Sequence, residues 1–155
     1  MRIHLLAVGT RMPDWVEKGF DSYARRLPKN LLHVKEIPLG HRGAGADVLK
    51  ARRIEGERLI ASVPKGARVV ALQCAAKSWS TQMLVKSLNN WMLDGRDTAL
   101  LVGGPDGLSE RSLRQAETKW SLSALTLPHG LVRVVVAEQL YRAWATLNNH
   151  PYHRA

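Results

Sequence analysis

The sequence predicts an α/β protein with a parallel β-sheet that is covered by helices on both faces. The first observation is that short apolar runs rich in β-branched residues alternate with longer segments of helical periodicity. The second is the length of 155 residues, which is enough for one well-buried core and too short for two ordinary domains. We therefore expect residues 1–155 to form a single domain.

Strands and helices are expected to alternate along the chain. The predicted strands cover residues 2–8, 31–37, 68–73, 98–102 and 120–125. The predicted helices cover residues 14–27, 47–62, 81–93, 109–117 and 131–148. In the first helix Glu17 stands three residues after Asp14, which is the spacing of a capping box. Gly56 weakens the prediction of the second helix, because glycine is a poor helix former.

The chain carries a formal net charge of +10. A positive potential of this size attracts polyanions, so nucleic acid is the first partner to consider. A charged surface that serves only solubility is the alternative. The excess is greater in the N-terminal half, where the candidates for phosphate contacts are Arg25, Arg26, Arg42, Lys50, Arg52 and Arg53.

Several classes of protein are excluded by what the sequence lacks. No apolar stretch approaches the ~20 residues of a membrane span and no signal peptide is apparent, so we expect a cytoplasmic protein with no membrane partner. Cys74 is the only cysteine, which rules out an internal disulfide and a thiolate metal cluster. His150 and His153 flank Pro151 instead of lying one helical turn apart, so we expect no metal. The glycine motifs of nucleotide hydrolases and nicotinamide enzymes are also absent.

Ligands of open α/β sheets bind beyond the carboxyl ends of the strands. The loops predicted at that edge contain residues 74–80, 103–109 and 126–130. The middle loop, GGPDGLS, has three glycines in five positions, so we expect its backbone to approach a ligand closely. A purely structural turn is the alternative interpretation.

A serine-rich stretch, SLSALTLPH at residues 121–129, runs directly into the most apolar helix of the chain. Its apolar side chains are Leu125, Leu127 and Pro128. Together with free backbone groups they form a suitable lining for an adenine ring. An ordinary connection between a strand and a helix is the alternative.

Six blocks of the sequence follow the order of a known family pattern. They are MPDWV at residues 12–16, LDGRD at 93–97, GGPDGLS at 103–109, SLSALTLPH at 121–129, VRVVVAEQLYRAW at 132–144 and NHPYHR at 149–154. Together these blocks resemble the RlmH family of bacterial SPOUT methyltransferases over nearly the whole chain. Gly130 is a departure, since a bulkier residue or proline is common there in the family.

The resemblance implies the SPOUT fold, an open and mostly parallel sheet with a C-terminal trefoil knot that general topology rules would not suggest. It also implies a homodimer and the cofactor S-adenosylmethionine. Members of the family methylate N3 of a pseudouridine in helix 69 of the large-subunit (23S) rRNA, and we expect the assembled ribosome to be the substrate. The residues that the resemblance places at the cofactor are Leu72, Gly103, Gly104, Ser123, Ala124, Leu125, Thr126, Leu127 and Pro128.

Methylation of an imide nitrogen requires that its proton leave, so a nearby base or a cation that stabilises the anion would help. His129 and His153 are the candidates for the base. The candidates for the cation are Arg133, Arg142 and Arg154, although we expect Arg142 to pair with Glu138 one helical turn earlier.

The sequence ends in an aromatic, titratable and cationic set formed by Tyr152, His153 and Arg154. Such a set is suited to stacking on an extruded base and gripping its phosphate. We therefore expect this tail to cap the active site, with a disordered chain end as the alternative.

The last predicted helix has apolar residues around much of its circumference, which favours self-association. They include Val135, Leu140, Trp144 and Leu147.

Two other functions fit the same charge and resemblance. One is a non-catalytic ribosome-binding or assembly factor, and the other is a SPOUT enzyme that acts on tRNA.

Overall fold

The computed structural model describes residues 1–154, so Ala155 lies outside the described residues and the single domain expected over residues 1–155 stays a prediction. The sheet has five strands in the order β2-β1-β4-β3-β5, and all neighbouring pairs are parallel. This sheet confirms the predicted α/β class. The strands are β1 (Ile3–Val8), β2 (Leu32–Ile37), β3 (Arg68–Leu72), β4 (Thr98–Val102) and β5 (Thr118–Trp120).

Helices lie on both faces of the sheet, as predicted. They are α1 (Asp14–Ala24), α2 (Val48–Ser62), α3 (Thr81–Asp94), α4 (Glu110–Gln115) and α5 (His129–Leu147), with a 3-10 helix at Pro151–Arg154. Helices α1, α3 and α5 pack against one face, and α2 and α4 pack against the other. Among residues 1–154, no helix is long and apolar enough to cross a membrane.

Alternate residues of β1 enter two separate cores. Ile3, Leu5 and Ala7 pack on the side of α1, α3 and α5, whereas Leu6 and Val8 pack on the side of α2 and α4. All five side chains are buried, because successive side chains of a strand point to opposite faces of the sheet. A strand that is covered on both sides has no polar face, which explains the nearly continuous apolar run in the sequence.

The first helix begins at Asp14 as predicted, but its capping and its C-terminal end differ from the prediction. Pro13 is its N-cap and no side chain caps it, so the expected capping box between Asp14 and Glu17 is wrong. Both carboxylates lie in the first turn of the helix, where negative charge is favourable to the helix dipole. The helix ends at Ala24 and passes into a turn that is closed by a hydrogen bond from Leu27 N to Ala24 O.

Gly56 lies inside α2 and does not interrupt it. The helix begins after Asp47, whose carboxylate accepts hydrogen bonds from Leu49 N and Lys50 N. A Cβ atom at Gly56 would lie 2.1 Å from Ser109 Oγ, at the start of α4. Glycine therefore allows α2 and α4 to approach closely, and this packing outweighs its poor helix propensity.

The fifth strand lies earlier in the chain than predicted. It covers Thr118–Trp120, whereas residues 120–125 were expected. It is at the edge of the sheet and pairs with β3, which ends at Leu72 opposite Trp120, so the chain continues past the end of its partner strand. Residues 121–128 form a loop instead, and α5 begins at His129. The trefoil knot that the resemblance implies stays a prediction.

Replacing Gly56 by alanine tests the close packing of α2 on α4. Alanine is normally better than glycine inside a helix by about 0.5–1 kcal/mol, but here the added methyl group would overlap Ser109. We expect Gly56→Ala to lower the free energy of unfolding in urea by about 1–3 kcal/mol. The control is Ala61→Gly, at an exposed position of the same helix, which should lose only the helix propensity. A stabilised Gly56→Ala protein would contradict this packing.

Candidate active site

A cleft opens at the edge of the sheet where β3, β4 and β5 end. Its volume is about 710 Å³, and it is lined by the loops that follow these three strands and by the first turn of α5. This is the position at which open α/β sheets bind ligands. Within the described residues, no group of three or more His, Cys, Asp or Glu is placed to hold a metal ion.

The glycine loop, residues 103–109, forms one wall of the cleft. Gly103 and Gly104 are needed for the close packing of the loop, because a side chain at either position would crowd its neighbours. A Cβ atom at Gly103 would lie 2.5 Å from the carbonyl carbon of Gly107, and one at Gly104 would lie 3.0 Å from Val8 Cγ1. Gly107 has a φ of 80°, in the left-handed region, and its N–H donates to Gly104 O at 3.0 Å. This packing supports the alternative interpretation, a structural turn, and the close approach of a ligand stays a prediction.

The second wall is the loop that leads from β5 into α5. Ser121 Oγ donates to Cys74 O at 3.0 Å and thereby ties this loop to the one after β3. Within the loop, Leu125 N donates to Ser123 Oγ at 3.0 Å. The Leu125 side chain is 74% exposed, which is unusual for a large apolar group and leaves it available to a ligand.

Most of the residues expected at the cofactor do line this cleft. They are Leu72, Gly103, Gly104, Ser123, Leu125, Thr126 and Leu127. Ala124 and Pro128 belong to the same loop and are exposed, but they do not line the cleft. The contacts of all these residues with a cofactor stay a prediction.

Sequence reasoning missed several residues of the cleft wall. Val102 directly precedes the glycine loop and Leu108 belongs to it, so that motif could have identified both residues. Leu122 also lines the cleft and belongs to the serine-rich stretch, so that stretch could have identified it. Arg52 lies far earlier in the chain, on α2, and no local signal connects it with the cleft.

His129 is the first residue of α5 and lines the cleft. Its ring packs so closely on the end of β1 that a Cβ atom at Gly9 would lie 2.9 Å from His129 Nε2. This nitrogen is buried and has no hydrogen-bond partner among the described residues. Burial, and then the nearby charge of Arg133, lower the pKa of His129 below its ordinary value. Its imidazole is therefore neutral near neutral pH.

Arg133 does not line the cleft and instead lines a smaller pocket together with Glu36 and residues of α1. It is only 3% exposed and donates to Glu36 Oε2 at 2.7 Å and to Gly9 O at 2.8 Å. These bonds join α5 to the carboxyl ends of β1 and β2. The expectation that Arg133 stabilises an anion in the active site is not supported by this position, because its guanidinium is already engaged with a carboxylate.

The C-terminal tail, residues 152–154, is docked on α5. The Tyr152 hydroxyl donates a hydrogen bond to Glu138 Oε1 at 2.9 Å, and the Tyr152 ring centroid lies 4.7 Å from that of Tyr141. Burial and the hydrogen bond with Glu138 raise the pKa of Tyr152. Arg142 lies over the Tyr152 ring and also pairs with Glu138, which confirms the expected pair.

The tail does not cap the cleft of its own chain. Glu138 follows His129 by nine residues on one helix, which places them about 14 Å apart along the axis and about half a turn around it. Within residues 138–154 no side chain lines the cleft. Of the expected catalytic residues, the structure therefore brings His129 to the cleft, whereas Arg142, Tyr152, His153 and Arg154 lie elsewhere.

The basic residues expected to contact phosphate have different environments. Arg42 is held by two carboxylates, and Arg26 lies over two tyrosine rings. Arg52 lines the cleft, and Lys50 and Arg53 are exposed on the same helix. Helix α2 therefore carries positive charge to the mouth of the cleft.

Helix α5 has less unpaired apolar surface than predicted. Leu140 is only 1% exposed, and Trp144 and Leu147 pack partly against the core. Val135 is half-buried. The argument for self-association from Leu140 is thus wrong, and the homodimer stays a prediction.

The parallel sheet with a ligand cleft at its carboxyl edge defines this chain as an α/β protein with a cofactor-sized site. The profile of the family described as "Predicted SPOUT methyltransferase" matches residues 1–153. The chain therefore belongs to this SPOUT methyltransferase family. The match supports the expected fold and, at the level of the family, S-adenosylmethionine as the cofactor.

Solved structures of other proteins share this fold, and two of them are candidate methyltransferases. A candidate methyltransferase from Legionella pneumophila, in complex with SAM, aligns with a TM-score of 0.51 over 93% of this chain and 66% of its own, at 11% identity. A candidate rRNA methyltransferase from Porphyromonas gingivalis aligns with a TM-score of 0.56 over 94% of this chain and 69% of its own, at 14% identity. The chain thus spans about two thirds of the length of these neighbours.

Proposed function

We propose that this protein uses S-adenosylmethionine to methylate N3 of a pseudouridine in helix 69 of 23S rRNA, on assembled ribosomes in the cytoplasm. The observation that carries the proposal is the cleft in which the loop of Gly103 and Gly104 faces the loop of Ser123 and Leu127. Family membership supports methyl transfer, and the Porphyromonas neighbour is itself described as a candidate rRNA methyltransferase. The resemblance to the RlmH family supports the particular nucleotide.

The residues of the cleft fit the chemistry of this cofactor. Its volume of about 710 Å³ lies within the range of roughly 300–1,000 Å³ that is usual for small-molecule sites. Leu72, Leu122 and Leu127 offer apolar surface that would hold the adenine ring. Arg52 and Glu110 carry opposite charges at the same cleft, and they would match the carboxylate and ammonium groups of the methionine part.

Bound S-adenosylmethionine supplies an electrophilic methyl group on a positively charged sulfur. The loops of this chain would hold and orient the reacting partners, and such positioning can account for much of the acceleration. We assign the uptake of the imide proton to His129, because it lines the cleft and its lowered pKa keeps the imidazole neutral.

The charge of the chain supports an RNA substrate. The formal net charge is +10, and polyanions are attracted to such a surface. Arg52 lines the cleft, with Lys50 and Arg53 exposed nearby, so phosphate groups beside the target base would meet positive charge on α2.

We further propose a homodimer in which the tail of one subunit lies at the cleft of the other and contacts the bound nucleotide there. Tyr152 is bonded to Glu138 on the side of α5 that faces away from His129, so it does not reach the cleft of its own chain. A second subunit also enlarges the surface that a short chain offers to RNA. In this arrangement Tyr152 would stack on the target base, and His153 and Arg154 would contact the nucleotide.

Added bulk inside the cleft should block the cofactor. Thr126 is exposed and lines the cleft, so Thr126→Arg fills the space without disturbing the core. We expect binding of S-adenosylmethionine to weaken about tenfold or more in calorimetry. Unmethylated ribosomes that are incubated with this variant and S-adenosylmethionine should gain no methylated pseudouridine, as measured by mass spectrometry of the rRNA.

The matched control is Ala124→Arg. It adds the same group to an exposed position of the same loop that does not line the cleft, so binding and methylation should stay at the wild-type level. If the wild-type protein binds no S-adenosylmethionine, a non-catalytic ribosome-binding factor is the better assignment. Methylation of tRNA instead of 23S rRNA would favour the SPOUT tRNA enzyme.

Truncation after Pro151 removes the tail and should abolish methylation. Cofactor binding should be nearly unchanged, because the tail does not line the cleft. Light scattering should give about twice the chain mass of 17.3 kDa for the full-length protein. A monomer with full activity would contradict the proposed dimer.

Mixed dimers test whether the tail acts across the subunit interface. Truncated subunits keep an intact cleft, and Thr126→Arg subunits keep an intact tail. A mixture of the two should regain activity that neither variant has alone, because one cleft and one tail are then complete in the same dimer. If the mixture is as inactive as its components, the tail does not work in this way.

A further inference from the structure

One arginine joins the loop between β2 and α2 to the glycine loop of the cleft. Arg42 donates from Nε to Asp106 at 2.8 Å and from both terminal nitrogens to Glu55. Asp106 belongs to the glycine loop and lines the cleft, whereas Glu55 lies on α2. The side chain of Arg42 is 20% exposed, so water only partly screens these contacts.

Glu55 is the buried anchor of this network. It is 2% exposed and also accepts a hydrogen bond from Gly40 N at 2.8 Å. A Cβ atom at Gly104 would lie 3.1 Å from Glu55 Oε1, so the carboxylate lies directly under the glycine loop. A carboxylate buried this deeply is unfavourable without a cation, and Arg42 supplies one.

Asp106 lies at the exposed turn of the glycine loop, between the closely packed Gly103 and Gly107. A backbone hydrogen bond from Gly107 N to Gly104 O closes this turn. The hydrogen bond with Glu55, above all, raises the pKa of Arg42, so the guanidinium stays charged beside Asp106. The contact with Arg42 therefore restrains the part of the loop that carries Asp106.

We infer that Arg42 is a positioning residue for the cofactor, because it ties Asp106 of the glycine loop to the buried Glu55. Arg42 does not line the cleft and would act through Asp106 alone. A loop that is ordered before binding loses less conformational entropy when the ligand binds. The inference rests on the proposed function, which makes S-adenosylmethionine the ligand of this loop.

The first test is Asp106→Asn, which leaves the pair of Arg42 and Glu55 intact. We expect about tenfold weaker binding of S-adenosylmethionine in calorimetry. Amide hydrogen exchange of residues 103–109 should be faster in the ligand-free variant, while the free energy of unfolding stays nearly unchanged. The KM for the cofactor should rise with little change in kcat.

Two further variants complete this test. Asp106→Glu keeps a carboxylate for Arg42 and should recover much of the affinity. Glu57→Gln removes an exposed carboxylate of α2 outside the network and should leave both binding and exchange at the wild-type level.

Asp106 itself lines the cleft, so a double-variant comparison must separate positioning from direct contact. Arg42→Gln combined with Glu55→Gln removes both charges together and leaves neither unpaired. In this background Asp106→Asn should weaken cofactor binding less than about twofold, because the tie to Glu55 is already lost. An equal loss in both backgrounds would overturn the inference, since Asp106 would then act on the cofactor directly.

Failure of the inference can be distinguished from failure of the proposed function. A wild-type protein that does not bind S-adenosylmethionine contradicts the function, yet hydrogen exchange of the ligand-free loop still measures the restraint. Equal exchange of residues 103–109 in the wild-type and Asp106→Asn proteins would contradict the positioning role of Arg42.

Discussion

All strands of the sheet run in one direction, and this constraint brings the parts of the site together. Leu72 at the end of β3 lies beside Val102 on β4 and Trp120 on β5. The loops that follow must leave the sheet at the same edge, where open α/β sheets bind their ligands. Residues that are distant in sequence then meet, as Ser121 Oγ and Cys74 O do at 3.0 Å.

Most of the fold could be predicted because local patterns determine most of its elements. Thr98–Val102 was predicted to the residue, since its five side chains are all buried between two layers of helices. The fifth strand was placed too late because SLSALTL alternates like a strand, whereas pairing depends on where β3 ends. Gly56 shows the same limit. Its poor helix propensity can be read from the sequence, but the close contact with Ser109 at the start of α4, which requires glycine there, cannot.

The candidate site, too, could be predicted only where its residues lie close together in the sequence. Its two loops were recognised because each motif lies within one continuous segment. Arg52 was expected only to contact phosphate, because nothing in the sequence shows that it reaches the cleft from α2. The tail was expected to cap the active site, and the sequence does not reveal the hydrogen bond from Tyr152 to Glu138 that holds it away from the cleft of its own chain. The sequence likewise does not reveal that His129 lies at the cleft while Arg133, on the same helix, lies in another pocket and pairs with Glu36.

A crystal structure with S-adenosylmethionine would test most directly whether this cleft is the methyl-donor site. Density for the cofactor is expected between residues 103–109 and residues 122–127, with the adenine ring against Leu72 and Leu127. A cofactor bound elsewhere on the chain, or a cleft that stays empty at a saturating concentration, would contradict this assignment.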